Sequence, residues 1–195
     1  MATAGPIESI EPRSAVDPTM LPIRSDDLVV VVIETPCGSG NKIKFDSDLG
    51  VYRIDRTLPA GMLFPFDFGF VPQTVAADGD PLDVIVLLDA PAVTGCVVLA
   101  RLIGVLQAEQ RDAGKGRWVR NDRLVAVAGG AKGHASLRSL RDVDPFLLDS
   151  IAAFFANYHR EDGDDFRVTG HAGARAAAAA IRQANIDFQK SRGGS

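Results

Sequence analysis

Cysteines, tryptophans and long apolar runs are scarce in this chain of 195 residues, which has two cysteines and one tryptophan. Cys37 and Cys96 form no Cys-x-x-Cys pair and lie near no histidine cluster, so a disulfide framework and a zinc site are both disfavoured. The longest apolar runs, such as Val29 to Ile33 and Val84 to Leu88, are far shorter than the ~20 residues that cross a bilayer. The N-terminus has no basic segment followed by an apolar one. We therefore expect a soluble, cytoplasmic protein.

The chain also lacks a large excess of either positive or negative charge. The formal net charge is -4, from 21 Lys and Arg residues against 25 Asp and Glu residues, and the basic residues are scattered along the chain. A nucleic-acid-binding protein would gather them into a patch or stripe. We expect one globular domain with neither a nucleic-acid partner nor a membrane partner. A small anionic substrate would need local cations, or metal ions held by carboxylates.

The chain divides into three parts by pattern. Residues 1–27 contain four prolines and no periodicity, so they are predicted to form an extended arm. Residues 28–190 are predicted to form one barrel domain that includes the C-terminal helices, and residues 191–195 a flexible tail. Short β-rich segments separated by Gly, Pro and Asp are typical of a small barrel or sandwich. These segments are Val29 to Glu34, Lys42 to Phe45, Val51 to Asp55, Asp83 to Leu88, Val97 to Leu106 and Arg123 to Ala128.

Two helices are predicted near the C-terminus. Asp144 followed by Pro145 is typical of an N-cap with proline at the first helical position. Apolar residues then recur at helical spacing, and the pattern ends between His159 and Gly163. The residues of this apolar face are Leu147, Ile151, Phe154 and Tyr158. A run of five alanines predicts a second helix from about Gly173 to Phe188.

Three carboxylates crowd into one segment, Asp78-Gly79-Asp80-Pro81-Leu82-Asp83, directly before an apolar strand. Like charges this close disfavour ionisation unless a cation lies between them, and Mg²⁺ prefers oxygen ligands. One interpretation is a divalent-metal site. The structural alternative is a solvated Asp-Gly turn, and the spacing alone leaves both open. A calcium loop of the EF-hand type fits poorly, because the positions that require a ligand, a glycine and a glutamate are occupied here by Leu82, Asp83 and Asp89.

The hexad DGDPLD resembles the signature of the family I soluble inorganic pyrophosphatases, and the resemblance covers roughly residues 28–160. The other matching segments, in the order of that family, are VVVVIETP at 29–36, KIKFD at 42–46, IDRTLPAGMLFPFDFGFVPQT at 54–74, RLVAVA at 123–128 and IAAFFANYHR at 151–160. The combination is far more specific than the hexad alone. It implies an α+β fold, mainly β, in which an OB-like five-stranded closed barrel carries two C-terminal helices.

The resemblance also implies a reaction. The expected enzyme is a magnesium-dependent hydrolase that splits pyrophosphate into two orthophosphates by a metal-activated water, with several Mg²⁺ ions in its site. Metal ions can lower the pKa of the attacking water, and phosphoryl transfer depends mainly on positioning and charge stabilisation. Bacterial members of the family further imply a homo-oligomer, usually a hexamer.

Site residues carry over from the same resemblance. Asp80 would be the general base that accepts a proton from the attacking water. The metal-binding carboxylates would be Asp78, Asp83, Asp122 and Glu34, with Glu34 supporting the bound water. Substrate phosphates would bind Lys44, Arg56, Arg123 and Tyr158. Taken singly, each of these cations could be an ordinary surface charge, and Tyr158 could belong to the helix's apolar face.

The sequence departs from the family pattern at several polar positions. Asp46 stands where a second functional Glu is usual and reaches one methylene less far. Phe64 and Phe68 replace tyrosines and lose a hydroxyl donor each. His159 stands where a phosphate-binding Lys is usual, so we expect the charge there to depend on pH.

The segment from Glu109 to Asp122 leaves its register open, because the family expects two metal-binding Asp residues there and then a Lys. Aligning RLVAVA puts Arg123 at the Lys position and Asn121 at the last Asp, and the earlier Asp falls on Gln110. Glu109 and Asp122 could then take over metal ligation by a local shift. The structural alternative is a charged hairpin tip from Arg111 to Arg120.

Two other functions compete with pyrophosphate hydrolysis. One is a pyrophosphate- or nucleotide-binding protein that has the fold without the hydrolysis, and the other is a hydrolase of a larger phosphoanhydride. Asp80 favours an enzyme, because a binding protein needs no general base. A P-loop nucleotide hydrolase is disfavoured, since GSGNK at 38–42 lacks the required spacing.

Overall fold

Residues 16–25, 27–112, 116–161 and 163–193 are described by the structure, which is a computed structural model. The greater part of the predicted N-terminal arm, the end of the predicted tail and the middle of the predicted hairpin tip lie outside these residues. The strands before the first helix are β1 (Arg24–Ser25), β2 (Leu28–Thr35), β3 (Asn41–Asp46), β4 (Val51–Thr57), β5 (Asp67–Phe70), β6 (Asp83–Leu87), β7 (Val97–Asp112), β8 (Val119–Arg120) and β9 (Arg123–Ala128). Helix α1 (Pro145–Glu161), strand β10 (Asp164–Gly173) and helix α2 (Ala174–Gly193) follow.

Five strands close on themselves. Strand β2 pairs with β5, β5 with β6, β6 with β9, β9 with β7, and β7 returns to β2. Every pairing in this ring is antiparallel except that of β6 with β9. The predicted OB-like architecture of five closed strands with two helices is thereby confirmed. Strand β10 extends the ring by pairing with β7, and the β3–β4 hairpin forms a separate small sheet.

The ring strands are buried because their sequences are continuous apolar runs. Strand β2 reads LVVVVIET and is buried from Val29 onward, and β9 is buried along its whole length. Such runs are typical of strands covered on both faces. Gly69 of β5 is required by close packing: a Cβ atom there would lie 1.9 Å from the carbonyl oxygen of Val32.

Helix α1 has the apolar face that its sequence predicts. The side chain of Asp144 accepts a hydrogen bond from the backbone N–H of Phe146 at 2.9 Å, which confirms the predicted N-cap. The face packs into an aromatic cluster that includes Phe64 and Phe66. Its buried residues are Ile151, Phe154, Phe155, Tyr158 and His159.

Several elements differ from the predictions. Strands β5 and β10, and the two-residue strands β1 and β8, have no counterpart among the predicted strands. Strand β7 continues beyond Leu106 to Asp112, and α2 extends to Gly193, so that residues 191–193 of the predicted tail are helical. Among the described residues, neither helix is long and apolar enough to cross a membrane.

Candidate active site

One cavity of about 470 Å³ collects polar side chains from distant parts of the chain. Its size falls in the range of ordinary ligand sites. All of the site residues carried over from the family resemblance line it, except Asp122. They are Glu34, Lys44, Arg56, Asp78, Asp80, Asp83, Arg123 and Tyr158.

Glu34 enters the cavity through a β-bulge in β2. The register between β2 and β5 shifts between Ile33 and Thr35, so Glu34 is the extra residue. Bulges re-aim a side chain in this way and are frequent beside active sites. The backbone N–H of Phe45 donates a hydrogen bond to Glu34 Oε1 at 2.8 Å. Burial raises the pKa of Glu34 more than the nearby charge of Lys42 lowers it.

The β3–β4 hairpin supplies lysine and arginine side chains to the cavity. Lys42 and Lys44 are two residues apart on β3, so both can face the cavity. On β4 the register shifts opposite the step from Lys42 to Ile43, and the extra residue is Asp55. This second bulge allows Arg56 to face the cavity together with Arg53, although the two are three residues apart.

Lys42 is a cavity residue that reasoning from the sequence missed. Its side chain is 8% exposed, and its Nζ lies 4.0 Å from the centre of the Phe68 ring. Burial lowers the pKa of Lys42, and the carboxylates of Asp83 and Glu34 act against that shift. The available signal was its spacing from Lys44, because alternate residues of a strand share a face.

The three carboxylates of the hexad differ in their partners. Gly79 has a φ of 92°, which permits the tight turn, and the backbone N–H of Asp80 donates to Asp78 Oδ1 at 3.2 Å. Lys44 Nζ lies 2.8 Å from Asp80 Oδ2, and Arg123 Nη1 lies 2.8 Å from Asp83 Oδ2. Within the described residues, Asp78 forms no ion pair of this kind.

Asp78 is therefore the carboxylate with the least compensation. Burial and the charges of Asp83 and Asp80 raise the pKa of Asp78, against the opposing effects of the backbone N–H of Asp80 and the charge of Arg123. A carboxylate whose pKa is raised by burial and by neighbouring negative charge is one that a bound cation would stabilise.

Arg123 lies at the wall of the cavity, where it is 4% exposed. Its guanidinium packs over the ring of Phe155 at 5.0 Å. Its Nη1 donates to the side chain of Asn121, whose own amide donates to Gln110. Asn121 and Gln110 are thus brought together beside Arg123, where they supply neutral amides.

Asp122 lies outside the cavity lining. Its Oδ1 accepts the backbone N–H of Ala108 at 3.1 Å, and its Oδ2 accepts hydrogen bonds from Arg120 at 2.8 and 2.6 Å. Glu109 accepts a hydrogen bond from Arg167 at 2.8 Å. Both carboxylates considered as replacement metal ligands are therefore engaged by arginines, and metal binding by Asp122 stays a prediction.

Tyr158 and His159 close the cavity from α1. The Arg56 guanidinium lies 4.8 Å from the centre of the Tyr158 ring, and burial raises the pKa of Tyr158 to about 12. The His159 imidazole stacks on Phe166 at 4.7 Å, and in the part of the chain that the structure describes neither of its nitrogens has a hydrogen-bond partner. Burial, and then the charges of Arg123, Arg56 and Lys42, lower the pKa of His159 to about 3. The imidazole is neutral at physiological pH, so the expected change of charge moves into the acid range.

The remaining departures have structural roles. Asp46 accepts the backbone N–H of Leu49 at 3.0 Å and the side chain of Arg53 at 2.9 Å. These contacts, first the one with Leu49, lower the pKa of Asp46. Phe68 provides the ring on which Lys42 lies, and Phe64 packs 5.9 Å from Tyr158.

The donor set of the cavity fits Mg²⁺ in one particular way. Within the described residues, no group of three or more His, Cys, Asp or Glu side chains is placed to hold a metal by itself. Mg²⁺ does not need such a cage, because it keeps several waters and binds through one or two carboxylates together with substrate phosphates. The uncompensated Asp78 beside Asp83 meets this requirement.

Comparison with known proteins places these residues in context. The sequence model of the family described as inorganic pyrophosphatase matches residues 31–189 of the chain. The chain is 44% identical over 131 residues to the inorganic pyrophosphatase of Nostoc sp., which is 67% of this chain and 74% of that protein. It is 35% identical over 162 residues to that of Thermus thermophilus, which is 82% of this chain and 89% of that protein.

Solved structures give the same result. The crystal structure of the inorganic pyrophosphatase from Thermus thermophilus superposes with a TM-score of 0.81 at 32% identity, covering 89% of this chain and 99% of that one. The inorganic pyrophosphatase from Neisseria gonorrhoeae superposes with a TM-score of 0.75 at 30% identity, covering 84% of this chain and 92% of that one. The cavity-lining residues other than Thr19, with the hexad among them, lie within the region that the family model matches.

Proposed function

This chain belongs to the inorganic pyrophosphatase family and hydrolyses pyrophosphate to two orthophosphates, and we propose that it does so in the cavity described above with Asp80 as general base. The observation that carries this assignment is the meeting of two sets of residues around one space. The hexad supplies carboxylates to this space, and Lys42, Arg56 and Arg123 supply positive charge. A cavity of this kind suits a small, highly charged anion.

Substrate binding falls to the cations. Arg56 offers a planar fork that can hold two phosphate oxygens and keeps its charge at any working pH. Lys42 and Arg123 are buried, so each would form charge-assisted hydrogen bonds in a weakly screened environment. Tyr158 keeps its proton, because its pKa is about 12, and its hydroxyl can donate to a phosphate oxygen.

Asp80 is the carboxylate best placed to accept a proton. Its side chain is 58% exposed, whereas that of Asp83 is 23% exposed and paired with Arg123. Lys44 occupies only Oδ2, so Oδ1 remains to accept a proton from the attacking water. We assign Asp80 this role, and Lys44 lies beside it.

Mg²⁺ is the metal that the donors suit, held by Asp78 and Asp83 together with the substrate's phosphates. When bound, it would neutralise phosphate charge and lower the pKa of a coordinated water. Glu34 supports this side of the cavity from the β2 bulge. Asp122 would join the ligands only after leaving Arg120.

A homo-oligomer, a hexamer by family resemblance, and a location in the cytoplasm remain predictions. Sedimentation of the purified protein tests the first, and fractionation of the native cell tests the second. Neither bears on the chemistry of the cavity.

The decisive experiment measures orthophosphate release from pyrophosphate with Mg²⁺, beside a chelator control and an Asp80→Asn variant. We expect release that the chelator abolishes and that the variant lowers by about 10²- to 10⁴-fold, the usual contribution of a general base. Retained pyrophosphate binding by Asp80→Asn, measured by calorimetry, would separate lost chemistry from lost binding. If the unaltered protein binds pyrophosphate but releases no orthophosphate, it is a non-hydrolytic binding protein. If it releases orthophosphate only from larger phosphoanhydrides, it is a hydrolase of those compounds.

A further inference from the structure

The ammonium group of Lys44 lies inside the carboxylate cluster. Its Nζ is 2.8 Å from Asp80 Oδ2, and the charges of Glu34 and Asp83 also act on it. A positive group that contacts one carboxylate and is acted on by the charges of two others occupies the kind of position that a small cation takes. Lys44 therefore supplies, from the chain itself, charge that this cluster would otherwise draw from solution.

Stability does not explain this ion pair. The side chains of Lys44 and Asp80 are 33% and 58% exposed, and exposed pairs of this kind contribute little to folding. Lys42, two residues earlier on the same strand, already packs against Phe68 in the buried wall of the cavity. Lys44 is thus left at the more open part of the cavity, where its charge can act on ions and substrate.

A divalent ion and an ammonium group cannot share Asp80 without repelling each other, since both are cations in contact with the same carboxylate. This inference rests on the proposed function of the cavity. We propose that Lys44 is a built-in cation that competes with divalent metal for the hexad carboxylates. The cavity consequently holds fewer metal ions, or holds them more weakly, than its carboxylates alone would.

The test is a titration of the metal-free protein with Mg²⁺ and with Mn²⁺ by calorimetry, without pyrophosphate. Lys44→Met removes the charge and keeps the length of the side chain, and Lys44→Arg keeps the charge. We expect Lys44→Met to bind one additional ion per chain, or to bind about fivefold or more tightly. Lys44→Arg should bind as the unaltered protein does.

A matched control is Lys190→Met, because Lys190 pairs with Asp187 on the exposed face of α2, at 3.3 Å. It should leave both the number of ions and their affinity unchanged. The proposal is overturned if Lys44→Met binds metal as before or more weakly, if it binds none, or if Lys44→Arg gains metal affinity as well.

The outcome is independent of turnover. If the unaltered protein releases no orthophosphate, the proposed function fails, yet the titration still shows whether Lys44 excludes metal. If it turns over and Lys44→Met gains no metal, only the role of Lys44 is lost.

Discussion

The ammonium nitrogen of Lys42 lies 4.0 Å from the centre of the Phe68 ring, in the wall of the cavity. A ring face attracts a cation, so Phe68 holds the charge of Lys42 where water is scarce. Burial nevertheless lowers the pKa of Lys42, which shows that the position does not favour the charged form by itself. An anion bound in the cavity would supply the missing stabilisation.

Lys42→Met should therefore weaken catalysis without weakening the fold. Loss of a charge-assisted hydrogen bond of about 1.5–3 kcal/mol predicts a fall in kcat/KM of roughly 10- to 100-fold. The free energy of unfolding should stay level or rise, because a buried charge is replaced by an apolar chain of similar length. Steady-state kinetics and urea denaturation measure the two effects.

Lys132→Met serves as the control, since Lys132 is exposed on a loop outside the cavity lining. It should change neither quantity. Unaltered kcat/KM in Lys42→Met would remove Lys42 from the substrate site, and a marked loss of stability would show that its charge supports the fold.

Much of the fold follows from the sequence because it depends on local patterns. The apolar runs of β2, β6 and β9 and the capped apolar face of α1 were predicted at nearly their observed bounds. Strand β5 was missed because its four residues, DFGF, include an aspartate and a glycine and no β-branched residue. Strand β10 was missed because its sequence, DDFRVTGHAG, contains two glycines and only two large apolar residues.

The site residues show the same difference between those that local sequence patterns identify and those that only the structure reveals. Local motifs identified the hexad carboxylates, Arg56 and Arg123. Lys42 was missed because its sequence position indicates only a polar strand residue, and its contact with Phe68 is visible only in the structure. Asp122 is a predicted metal ligand that lies outside the cavity lining. Its neighbour Asn121 lines the cavity, whereas the carboxylate of Asp122 accepts hydrogen bonds from Arg120.

Asp122→Asn should act on stability more than on metal binding. The substitution removes the charge that Arg120 and the N–H of Ala108 engage, and loss of such a partly buried pair should lower the free energy of unfolding by about 1–3 kcal/mol. The apparent Mg²⁺ affinity should change less than about twofold, since this carboxylate lies outside the cavity lining.

Arg120→Gln is the matched variant, because it breaks the same pair from the other side and leaves every carboxylate in place. Urea denaturation and Mg²⁺ titration of both variants compare the two roles. A large loss of Mg²⁺ affinity in Asp122→Asn alone would restore Asp122 to the metal ligands.

Gly69→Ala should unfold or severely destabilise the protein. Its Cβ atom would stand 1.9 Å from the Val32 carbonyl oxygen, within backbone that cannot move without breaking the pairing of β5 with β2. We expect a loss of more than about 3 kcal/mol, with activity lost in parallel. Gly130→Ala, which would meet nothing within 4 Å, should be nearly neutral. Equal denaturation midpoints for the two variants would contradict the close packing of β5.

The buried imidazole of His159 predicts a specific dependence of stability on pH. Its pKa is about 3 in the folded protein and about 6.5 when unfolded. Between these values the unfolded chain binds a proton that the folded protein does not. The free energy of unfolding must therefore fall as the pH falls through this window, and His159 has no effect above it, where both states are neutral.

His159→Phe removes this titration and keeps a ring that can stack on Phe166. Between pH 4 and 6, we expect the free energy of unfolding of the unaltered protein to decline more steeply than that of the variant, by up to about 1.4 kcal/mol per pH unit. The carboxylates titrate in both proteins, so comparing the slopes isolates the imidazole. Urea denaturation at several pH values supplies them. Parallel slopes for the unaltered protein and the variant would mean that His159 takes up its proton in the folded protein despite the nearby cations.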